Sequence, residues 1–377
     1  MTRLFSPWFL IPLLAVTANG ASLHAQSAAP PAGFPGKSGE ELYRNACAAC
    51  HGVDGKGNPR SIVGFDNELP DFTDCRSATP EPDLDWSAQI HDGGPARAFN
   101  RRMPAFGDVF SDADVDRLVA YLRGFCTDRA WPRGDLNLPR ALVTEKAFPE
   151  NETVIQTAIT RGDEPEVGTE FIYERRLGKR GQMELVVPLD VKEGPLGGWH
   201  RGLGDVEFSV KHALVHNIER GSIFSLGLET AFPTGKETSG FGGGVTVFAP
   251  FAAFGQVLRS DGFVQIQAGA DLPADTAKAR KEAFWRGAIG KSFAGGRGFG
   301  RSWTPMIELL GARELVDDEK TQWDVVPQMQ VTLSKRQHIM ISAGLEIPVT
   351  DRNARHIHAR SYFLWDWFDG GLFDGWR

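Results

Sequence analysis

Hydrophobic and polar residues alternate one for one along most of the second half of the chain. This period of two is the repeat of a β-strand. It predicts about twelve strands of about ten residues, the length that a tilted membrane-spanning strand needs. The predicted strands are residues 151–160, 167–177, 182–190, 203–215, 221–232, 244–258, 262–272, 281–293, 302–313, 322–334, 337–349 and 355–368.

Alternation alone also fits a soluble β-sandwich with one wet face, so that alternative stays open. Three features favour a closed antiparallel outer-membrane barrel over residues 149–377. The polar faces are rich in glycine, serine, glutamine and charged residues, tryptophans lie near strand ends, and short connections alternate with longer ones. The tryptophans are Trp199, Trp285, Trp303, Trp323, Trp365 and Trp367. The short connections are 178–181, 216–220, 259–261 and 335–336. The longer connections are 191–202, 233–243, 273–280 and 314–321. By its place in this alternation the connection 294–301 should be short, but it is longer than the short connections.

Residues 37–130 follow a helical period and predict an all-α domain. Acidic Glu40 and Glu41 open its first helix, and Ser111 caps its last one. That last helix has one apolar face, formed by Val115, Leu118, Val119 and Leu122. Residues 131–148, which include Pro132, Gly134 and Pro139, predict a linker or a docking strap rather than a regular element.

The strongest chemical signal is the run Cys47-Ala48-Ala49-Cys50-His51. Two thiols one helical turn apart can add across the two vinyl groups of a haem, and the histidine then supplies an imidazole to the iron. The alternatives are a redox dithiol, which needs a βαβ context, and half of a zinc site, which needs a second ligand pair. The other cysteines, Cys75 and Cys126, stand apart. The run therefore predicts one covalent haem c with His51 as the proximal iron ligand.

A sixth iron ligand is predicted at Met103, the only methionine between residues 2 and 182. It lies in a non-helical run before the last helix, and Pro104 holds that loop. A thioether there closes the sixth position of the iron, raises the potential and blocks other ligands. The alternative is a core methionine with another sixth ligand. His91 is predicted near the haem edge or on the surface rather than as a ligand.

Residues 37–130 resemble a class I c-type cytochrome. The resemblance rests on the helix that leads into Cys47-x-x-Cys50-His51, on Met103-Pro104-Ala105-Phe106 and on the C-terminal helix with Tyr121. It implies an all-α haem fold with His51 and Met103 as axial ligands, and one-electron transfer as the role.

Cys75 and Cys126 depart from that family, whose small members lack such a pair. Both lie in the helical domain, and disulfides persist in oxidising compartments, so a bond between them is predicted. Their spacing in the sequence does not fix the distance between their Cα atoms.

Residues 1–25 predict a secretion signal. They contain one early charge, Arg3, an apolar run from Leu4 to Val16 and small residues up to Ala25. The apolar run is too short to span a bilayer, and no later run reaches the length of a membrane helix. Residues 26–36 predict a flexible tether. Export agrees with the haem site, because haem is attached to c-type cytochromes outside the cytoplasm.

The net charge of −7 argues against a nucleic-acid partner. Residues 40–129 contain sixteen acidic and ten basic side chains, a balance of −6. An acidic haem domain can steer towards a basic redox partner; the alternative is that these charges are simply solvated.

The run from Tyr362 to Phe368 resembles the aromatic last strand of outer-membrane proteins, although residues 369–377 follow it. In architecture alone, the chain is similar to the outer-membrane cytochrome–porin fusions of iron-oxidising bacteria, which makes extracellular iron oxidation one alternative. Bacterial barrels have an even number of strands and short periplasmic turns. We therefore expect the first and the last barrel strand to have their chain termini on the periplasmic side, together with the haem domain.

The expected function is therefore one-electron transfer with periplasmic partner proteins. The barrel serves as an outer-membrane anchor or as a small-solute pore. Three alternatives stay open: a haem enzyme such as a peroxidase or a dehydrogenase subunit, a small-solute transporter with a haem sensor domain, and a soluble periplasmic protein.

Overall fold

The computed structural model describes residues 31–65, 68–97, 100–160, 165–194, 197–294, 301–334 and 337–367. The predicted signal peptide lies outside these residues. The first part of the described chain forms α1 (Gly39–Ala46), α2 (Ala48–His51), α3 (Arg60–Val63), α4 (Cys75–Ala78), α5 (Asp83–Asp92) and α6 (Asp112–Arg123). None of the described helices combines the length and the apolar character needed to cross a membrane.

The helical domain is built on the crossing of α1 and α6. At Gly39 a side-chain carbon would come within 2.9 Å of Tyr121 Cβ, so the crossing requires a glycine. Both helices begin with a capping box, which in α1 joins Ser38 and Glu41. The core between the helices is apolar and consists of Leu42, Tyr43, Ala48, Phe72, Ile90, Phe110, Val115, Leu118, Val119 and Leu122.

The rest of the described chain forms fourteen strands of one antiparallel sheet. They are β1 (Glu152–Thr160), β2 (Glu166–Leu177), β3 (Gly181–Glu193), β4 (Trp199–Leu203), β5 (Val206–Asn217), β6 (Ser222–Phe232), β7 (Val247–Val257), β8 (Gly262–Pro273), β9 (Glu282–Lys291), β10 (Phe293–Ala294), β11 (Ser302–Glu314), β12 (Gln322–Thr332), β13 (Ile339–Pro348) and β14 (His358–Asp366). All except β4 and β10 form the wall of a barrel. Pairing of β14 with β1 closes it.

These elements confirm the predicted all-α domain followed by an antiparallel barrel of twelve strands. The two additional strands, β4 and β10, pair with β3 and β11 outside the wall. Neither strand was predicted from the sequence. With five and two residues, they are too short to show a period of two.

The two ends of the barrel differ in their connections. One end, called the short-turn end below, has connections 178–180, 218–221, 258–261 and 333–338, whereas the opposite, long-loop end has 194–205 and 233–246. β1 begins and β14 finishes at the short-turn end. The helical domain is therefore joined to the barrel at that end.

The barrel wall has an apolar outer face and a mixed inner face. Along β11, Ile307 and Leu309 point outward and are about half exposed, whereas Glu308 between them points inward and is 0% exposed. Other exposed apolar residues of the outer face are Phe171, Leu226, Ile266, Ile289, Ile341 and Leu345. This is the pattern of a barrel surrounded by lipid.

Only some of the tryptophans assigned to strand ends face outward. Trp199 and Trp303 are exposed, but Trp365 and Trp367 are buried. The ring of Trp367 stacks on Tyr173 with 5.8 Å between ring centroids. The end of β14 is therefore packed against the chain rather than presented to an interface.

The chain between the two regions fills the inside of the barrel. Residues 136–150, called the lumen segment below, form no strand and, apart from the end of a short 3₁₀ turn, no helix. Leu136 and Leu142 in this segment are each 1% exposed. Inward-facing wall residues bond to its backbone: Gln265 donates to Pro139 O and Tyr362 donates to Arg140 O, both at 2.8 Å. Most of the sequence predicted as a linker thus lies inside the barrel.

The lumen segment contacts all twelve wall strands. The wall residues that meet it are, in strand order, Glu152, Glu174, Gln182, Lys211, Ser225, Gly255, Gln265, Arg286, Glu308, Gln328, Gly344 and Tyr362. At Gly344 a side-chain carbon would come within 2.8 Å of Leu142 Cδ1, so the wall needs a glycine there. Wall residues at this level, including Val154 and Val326, are 0% exposed. The segment therefore excludes water from the part of the lumen that it occupies.

Glu308 holds the middle of the lumen segment. Its carboxylate accepts hydrogen bonds from the backbone N–H groups of Leu142, Val143 and Thr144 at 2.7–3.2 Å. The Thr144 hydroxyl donates to the same carboxylate at 2.6 Å. Three successive N–H groups that converge on one anion are a strong fixed attachment, because each bond is charge-assisted.

Paired charges hold the two flanks of the lumen segment. Arg140 Nη1 lies 2.7 Å from Glu152 Oε1 and also pairs with Glu174. Lys146 pairs with Glu150 and lies 3.6 Å from Glu152 Oε2. All five side chains are buried. Buried charges persist only when they are paired and hydrogen-bonded, so this cluster depends on the segment staying in place.

The helical domain rests on the short-turn end of the barrel. Arg180 Nε, in the turn between β2 and β3, donates to Ala130 O at 2.9 Å, and Lys179 Nζ lies 2.6 Å from Asp128. On the side of the helical domain, Gly134 N donates to Thr79 O at 2.7 Å, and Asp83 N donates to Asp135 Oδ1 at 2.9 Å. The end of the helical domain near Ala130 is thus bonded to a barrel turn, and Gly134 and Asp135 in the linker are bonded back to the helical domain.

Candidate functional site

Cys47, Cys50 and His51 lie together on one helical turn. Cys47 is the residue between α1 and α2, and Cys50 and His51 finish α2. The N–H groups of Cys50 and His51 donate to Cys47 O at 3.1 and 2.9 Å, which fixes the turn. Tyr43 stabilises this turn, because its buried hydroxyl donates a hydrogen bond to Gly52 O at 2.6 Å. The two cysteines are free thiols.

The imidazole of His51 lies in an apolar environment. Its ring stacks on Phe72, with ring centroids 5.0 Å apart. Burial lowers the pKa of His51 to about 4, so the ring is neutral at physiological pH. Within the described residues, its buried Nδ1 has no hydrogen-bond partner. A neutral, unprotonated ring nitrogen is the form of histidine that binds a metal.

The Cys47 thiol lies in the same dry environment. Burial, and secondarily the neighbouring Cys50, raises the pKa of Cys47 to about 12. The thiol is therefore protonated, and it is not poised as the thiolate of a redox dithiol. This disfavours the thiol–disulfide alternative and fits a cysteine that serves as an attachment point.

Met103 is held in a loop against the end of α5. Met103 N donates to Asn100 O at 3.2 Å, and Gly94 N donates to Met103 O at 3.1 Å. The loop approaches so closely that a side-chain carbon at Gly93 would come within 2.7 Å of Ala105 N. The left-handed φ of +74° at Gly93 also favours glycine.

The helix α5 connects Met103 to the cysteine–histidine turn. Gln89 Nε2 donates to Met103 Sδ at 3.2 Å. One helical turn earlier, Trp86 packs against Phe72 with ring centroids 5.4 Å apart, and Phe72 stacks on His51. Residues three apart on a helix share a face. The same face of α5 therefore contacts both predicted iron ligands, one directly and one through Phe72.

His91 lies apart from these ligands. Its Nδ1 lies 2.5 Å from Asp92 Oδ1, and its ring packs over Gly107. This nitrogen is occupied by the neighbouring carboxylate.

Cys75 and Cys126 are joined by a disulfide, with Cα atoms 5.1 Å apart. The bond ties the start of α4 to the chain just after α6. Arg123 strengthens the same junction, because it donates to Asp83 at 2.8 Å and to Glu81 O at 2.6 Å, and its guanidinium lies 4.2 Å from the centroid of Trp86. The disulfide thus braces the side of the domain that carries α5.

A second group of possible metal ligands lies inside the barrel. The carboxylates of Glu150, Glu152 and Glu174 offer oxygens within 4.8 Å of one another. Arg140 and Lys146 pair with all three acids. The chain's own cations therefore occupy the place that a metal ion would take.

Sequence reasoning missed two residues of the helical site. Tyr43 looks like an ordinary core aromatic, and Gln89 like a polar residue of a solvated helix. Their roles depend on contacts across 9 and 14 residues. The sequence contained one signal for these roles. Tyr43 lies four residues before Cys47, and residues with this spacing share a face of a helix.

The residues of the helical domain fit a covalently attached haem. Two cysteine sulfurs and a neutral imidazole lie on one turn, and a thioether sulfur is held by the helix that packs on that imidazole through Phe72. Each of these groups is of the type that c-type haem attachment uses.

Comparison with known proteins gives one family match, which lies in the helical domain. Residues 35–122 match the family model described as Cytochrome C oxidase, cbb3-type, subunit III. No curated protein matches the chain.

Solved structures of outer-membrane barrels are similar to this chain. An outer membrane channel from Pseudomonas putida F1 is 11% identical, with a TM-score of 0.44 over 60% of this chain and 99% of that one. The NanC porin is also 11% identical, with a TM-score of 0.39 over 57% and 98%. The beta domain of a Bordetella autotransporter is 14% identical, with a TM-score of 0.36 over 57% and 97%. The helical region of this protein is thus a cytochrome c domain, joined to a closed twelve-strand antiparallel barrel that resembles outer-membrane porins.

Proposed function

We propose that this protein is a one-electron carrier whose single covalent haem c is held at the periplasmic mouth of an outer-membrane barrel. The observation that carries the proposal is the turn from Cys47 to His51, which presents two cysteine sulfurs and a buried imidazole inside a cytochrome c domain. Cys47 and Cys50 serve as thioether attachment points. His51 and Met103 serve as axial ligands. The bound haem supplies an iron centre that gains or loses one electron.

The chain's own residues keep the site dry and closed. Phe72 and Trp86 shield the imidazole of His51, and the Gly93 turn brings the Met103 loop against α5. A thioether that closes the sixth position favours electron transfer over binding of small molecules. This geometry supports the carrier and gives no support to the peroxidase alternative.

The barrel supports a location in the outer membrane. Its wall is closed, and its outer face is apolar along strands of nine to thirteen residues. The predicted export signal over residues 1–25 supports the same location. Short periplasmic turns are the rule in bacterial barrels, so the short-turn end and the cytochrome domain on it lie in the periplasm.

The lumen segment makes the barrel an anchor rather than an open pore. It contacts every wall strand, and Glu308, Glu174 and Ser225 around it are 0% exposed. Side chains that line a water-filled channel would remain accessible. The sealed lumen therefore disfavours the small-solute transporter.

The partners are periplasmic redox proteins. Among the described residues, the cytochrome domain contacts the barrel turns through Asp128 and Ala130, which bond to Lys179 and Arg180, and through Glu81, which lies 3.5 Å from His338. One haem on one side of a sealed barrel cannot by itself pass electrons through the membrane. Exchange with diffusible periplasmic carriers is therefore the role that the geometry supports.

The test is surface proteolysis of intact cells, followed by fractionation and haem staining of a denaturing gel. The proposal predicts haem-stained full-length protein in the outer-membrane fraction, protected from external protease until the outer membrane is opened. A haem-stained fragment released from intact cells would place the cytochrome domain outside. A stained band in the soluble periplasmic fraction alone would exclude the membrane anchor.

A further inference from the structure

Gln89 makes a contact with Met103 that the proposed function does not require. Its side-chain nitrogen lies 3.2 Å from Met103 Sδ, well within hydrogen-bond distance of a sulfur acceptor. A thioether sulfur can only accept, so the amide must present its NH₂ group to it. The amide oxygen of Gln89 is buried and has no partner among the described residues. The contact to sulfur is thus the hydrogen bond that this side chain makes.

The position of Gln89 is fixed by the helix that carries it. The residue lies one turn after Trp86 on α5, and its carbonyl accepts from Gly93 N at 3.1 Å, where the helix finishes. The next residue, Gly94, donates to Met103 O. The end of α5 therefore holds the methionine at two points, its backbone carbonyl and its sulfur.

A thioether sulfur has two lone pairs. If one lone pair faces the iron, the other is free to accept the amide hydrogen. In the haem-loaded protein, such a bond would leave the other lone pair to the iron. It would also withdraw electron density from the sulfur, which would weaken donation to ferric iron more than to ferrous iron and so would favour the reduced form.

We infer that Gln89 is a positioning residue for the Met103 sulfur, and that it raises the reduction potential of the haem. The inference rests on the proposed function, because it takes Met103 as the distal ligand. It adds a residue that neither the motif nor the family match assigns. Gln89 touches the ligand rather than the iron, so it acts through Met103 alone.

The test compares Gln89→Leu and Gln89→Glu with the wild type in the full-length, haem-loaded protein in detergent. Leucine keeps the volume and removes the donor. Glutamate keeps the shape but, when ionised, only accepts. Ser87→Ala on the same helix is the matched control. The readouts are the midpoint potential and the weak far-red absorption band of the ferric iron–sulfur bond.

Both Gln89 variants are expected to lower the midpoint potential and to shift or weaken the far-red band, with haem content unchanged. Glutamate should lower the potential further, because its charge also favours ferric iron. In a Met103→Ala background, Gln89→Leu should have no further effect on the potential. Unchanged potential and band in both variants would overturn the inference, as would an equal effect of Gln89→Leu with and without Met103.

The proposed function fails separately from this inference. If Met103→Ala alone leaves the band and the potential unchanged, Met103 is not the ligand and both fail. If Met103→Ala removes the band while the Gln89 variants change nothing, only the role of Gln89 fails. Should a variant lose haem, the side-chain NH₂ resonances of Gln89 in labelled wild-type protein provide the test. They are expected to shift between the oxidised and reduced states, and identical resonances in both would contradict the contact.

Discussion

The interiors of the two regions of this protein are stabilised in opposite ways. The cytochrome domain buries aliphatic and aromatic side chains around His51, whereas the barrel, besides apolar residues, buries carboxylates, amides, arginines and lysines around the lumen segment. The apolar interior keeps an imidazole neutral and water out, which an iron ligand needs. The charged groups of the barrel interior bond to the lumen segment, so they are satisfied only while that segment remains in place. Under the proposed function, one region therefore depends on its haem, and the other on a length of its own chain.

The charges inside the barrel sharpen this contrast. In the half occupied by the lumen segment, Arg140, Lys146 and Lys211 each pair with a glutamate. Towards the long-loop end, the inward residues include Glu166, Glu170, Asp190, Glu207, Glu229, Asp271 and Glu282. If the segment were displaced, the open lumen would present an acidic lining.

The largest expected effect concerns the cofactor. Replacing Cys47 and Cys50 together by serine should abolish covalent haem, since serine cannot form the thioether bonds. Haem staining should disappear and the helical signal of the cytochrome domain should weaken. The barrel should still assemble, which heat-modifiable migration on a gel would show. Loss of the barrel as well would contradict the independence of the two interiors.

The second effect concerns the seal of the lumen. Glu308→Ala removes the acceptor of three buried N–H groups, and loss of a buried charged partner costs about 3 kcal/mol. The lumen segment should then leave its place part of the time. Planar-bilayer recordings should show openings that wild type lacks, and these should favour cations over anions because of the acidic lining.

The matched control for that experiment is Glu346→Ala. This glutamate also faces inward, but it pairs with Arg360 rather than with the lumen segment. It should leave the barrel closed. The lumen segment would not seal the barrel if the wild type and both variants, Glu308→Ala and Glu346→Ala, showed the same conductance, above that of a bilayer without protein.

A smaller effect is expected from the disulfide. Replacing Cys75 and Cys126 by alanine opens a loop of 51 residues, worth about 4 kcal/mol by chain entropy alone. The cytochrome domain should unfold at lower denaturant concentration, while the barrel transition stays where it was. Chemical denaturation followed by haem absorbance and by tryptophan fluorescence separates the two. A shift of both transitions together would show that the regions unfold as one unit.

The smallest effect is expected at the surface contact between the regions. Lys179→Ala removes an ion pair with Asp128, whose members are 54% and 37% exposed. The hydrogen bond from Lys179 lowers the pKa of Asp128, but exposed pairs of this kind contribute little to stability. Neither unfolding transition should move measurably. Release of the cytochrome domain from the barrel, seen as faster proteolysis near residue 130, would show that the contact matters more than its exposure suggests.

The features that could be predicted from the sequence are those encoded in local residue patterns. A period of two marked all twelve wall strands, and five residues from Cys47 to His51 marked the haem turn. The lumen segment escaped because its partners, such as Glu308 and Gln328, lie 166 and 186 residues from Leu142. A segment without hydrophobic periodicity looks like a linker in the sequence when the residues that hydrogen-bond to its backbone are spread over the strands of a closed barrel wall. Gln89 escaped for the same reason, since its partner depends on how a loop folds back on α5.

The most direct test of the account is the haem content of the purified full-length chain after denaturation. The account predicts one iron porphyrin per chain that stays with the polypeptide on a denaturing gel and resists extraction by acidified acetone. Porphyrin that separates from the chain, or a chain isolated from the outer membrane without iron, would contradict it.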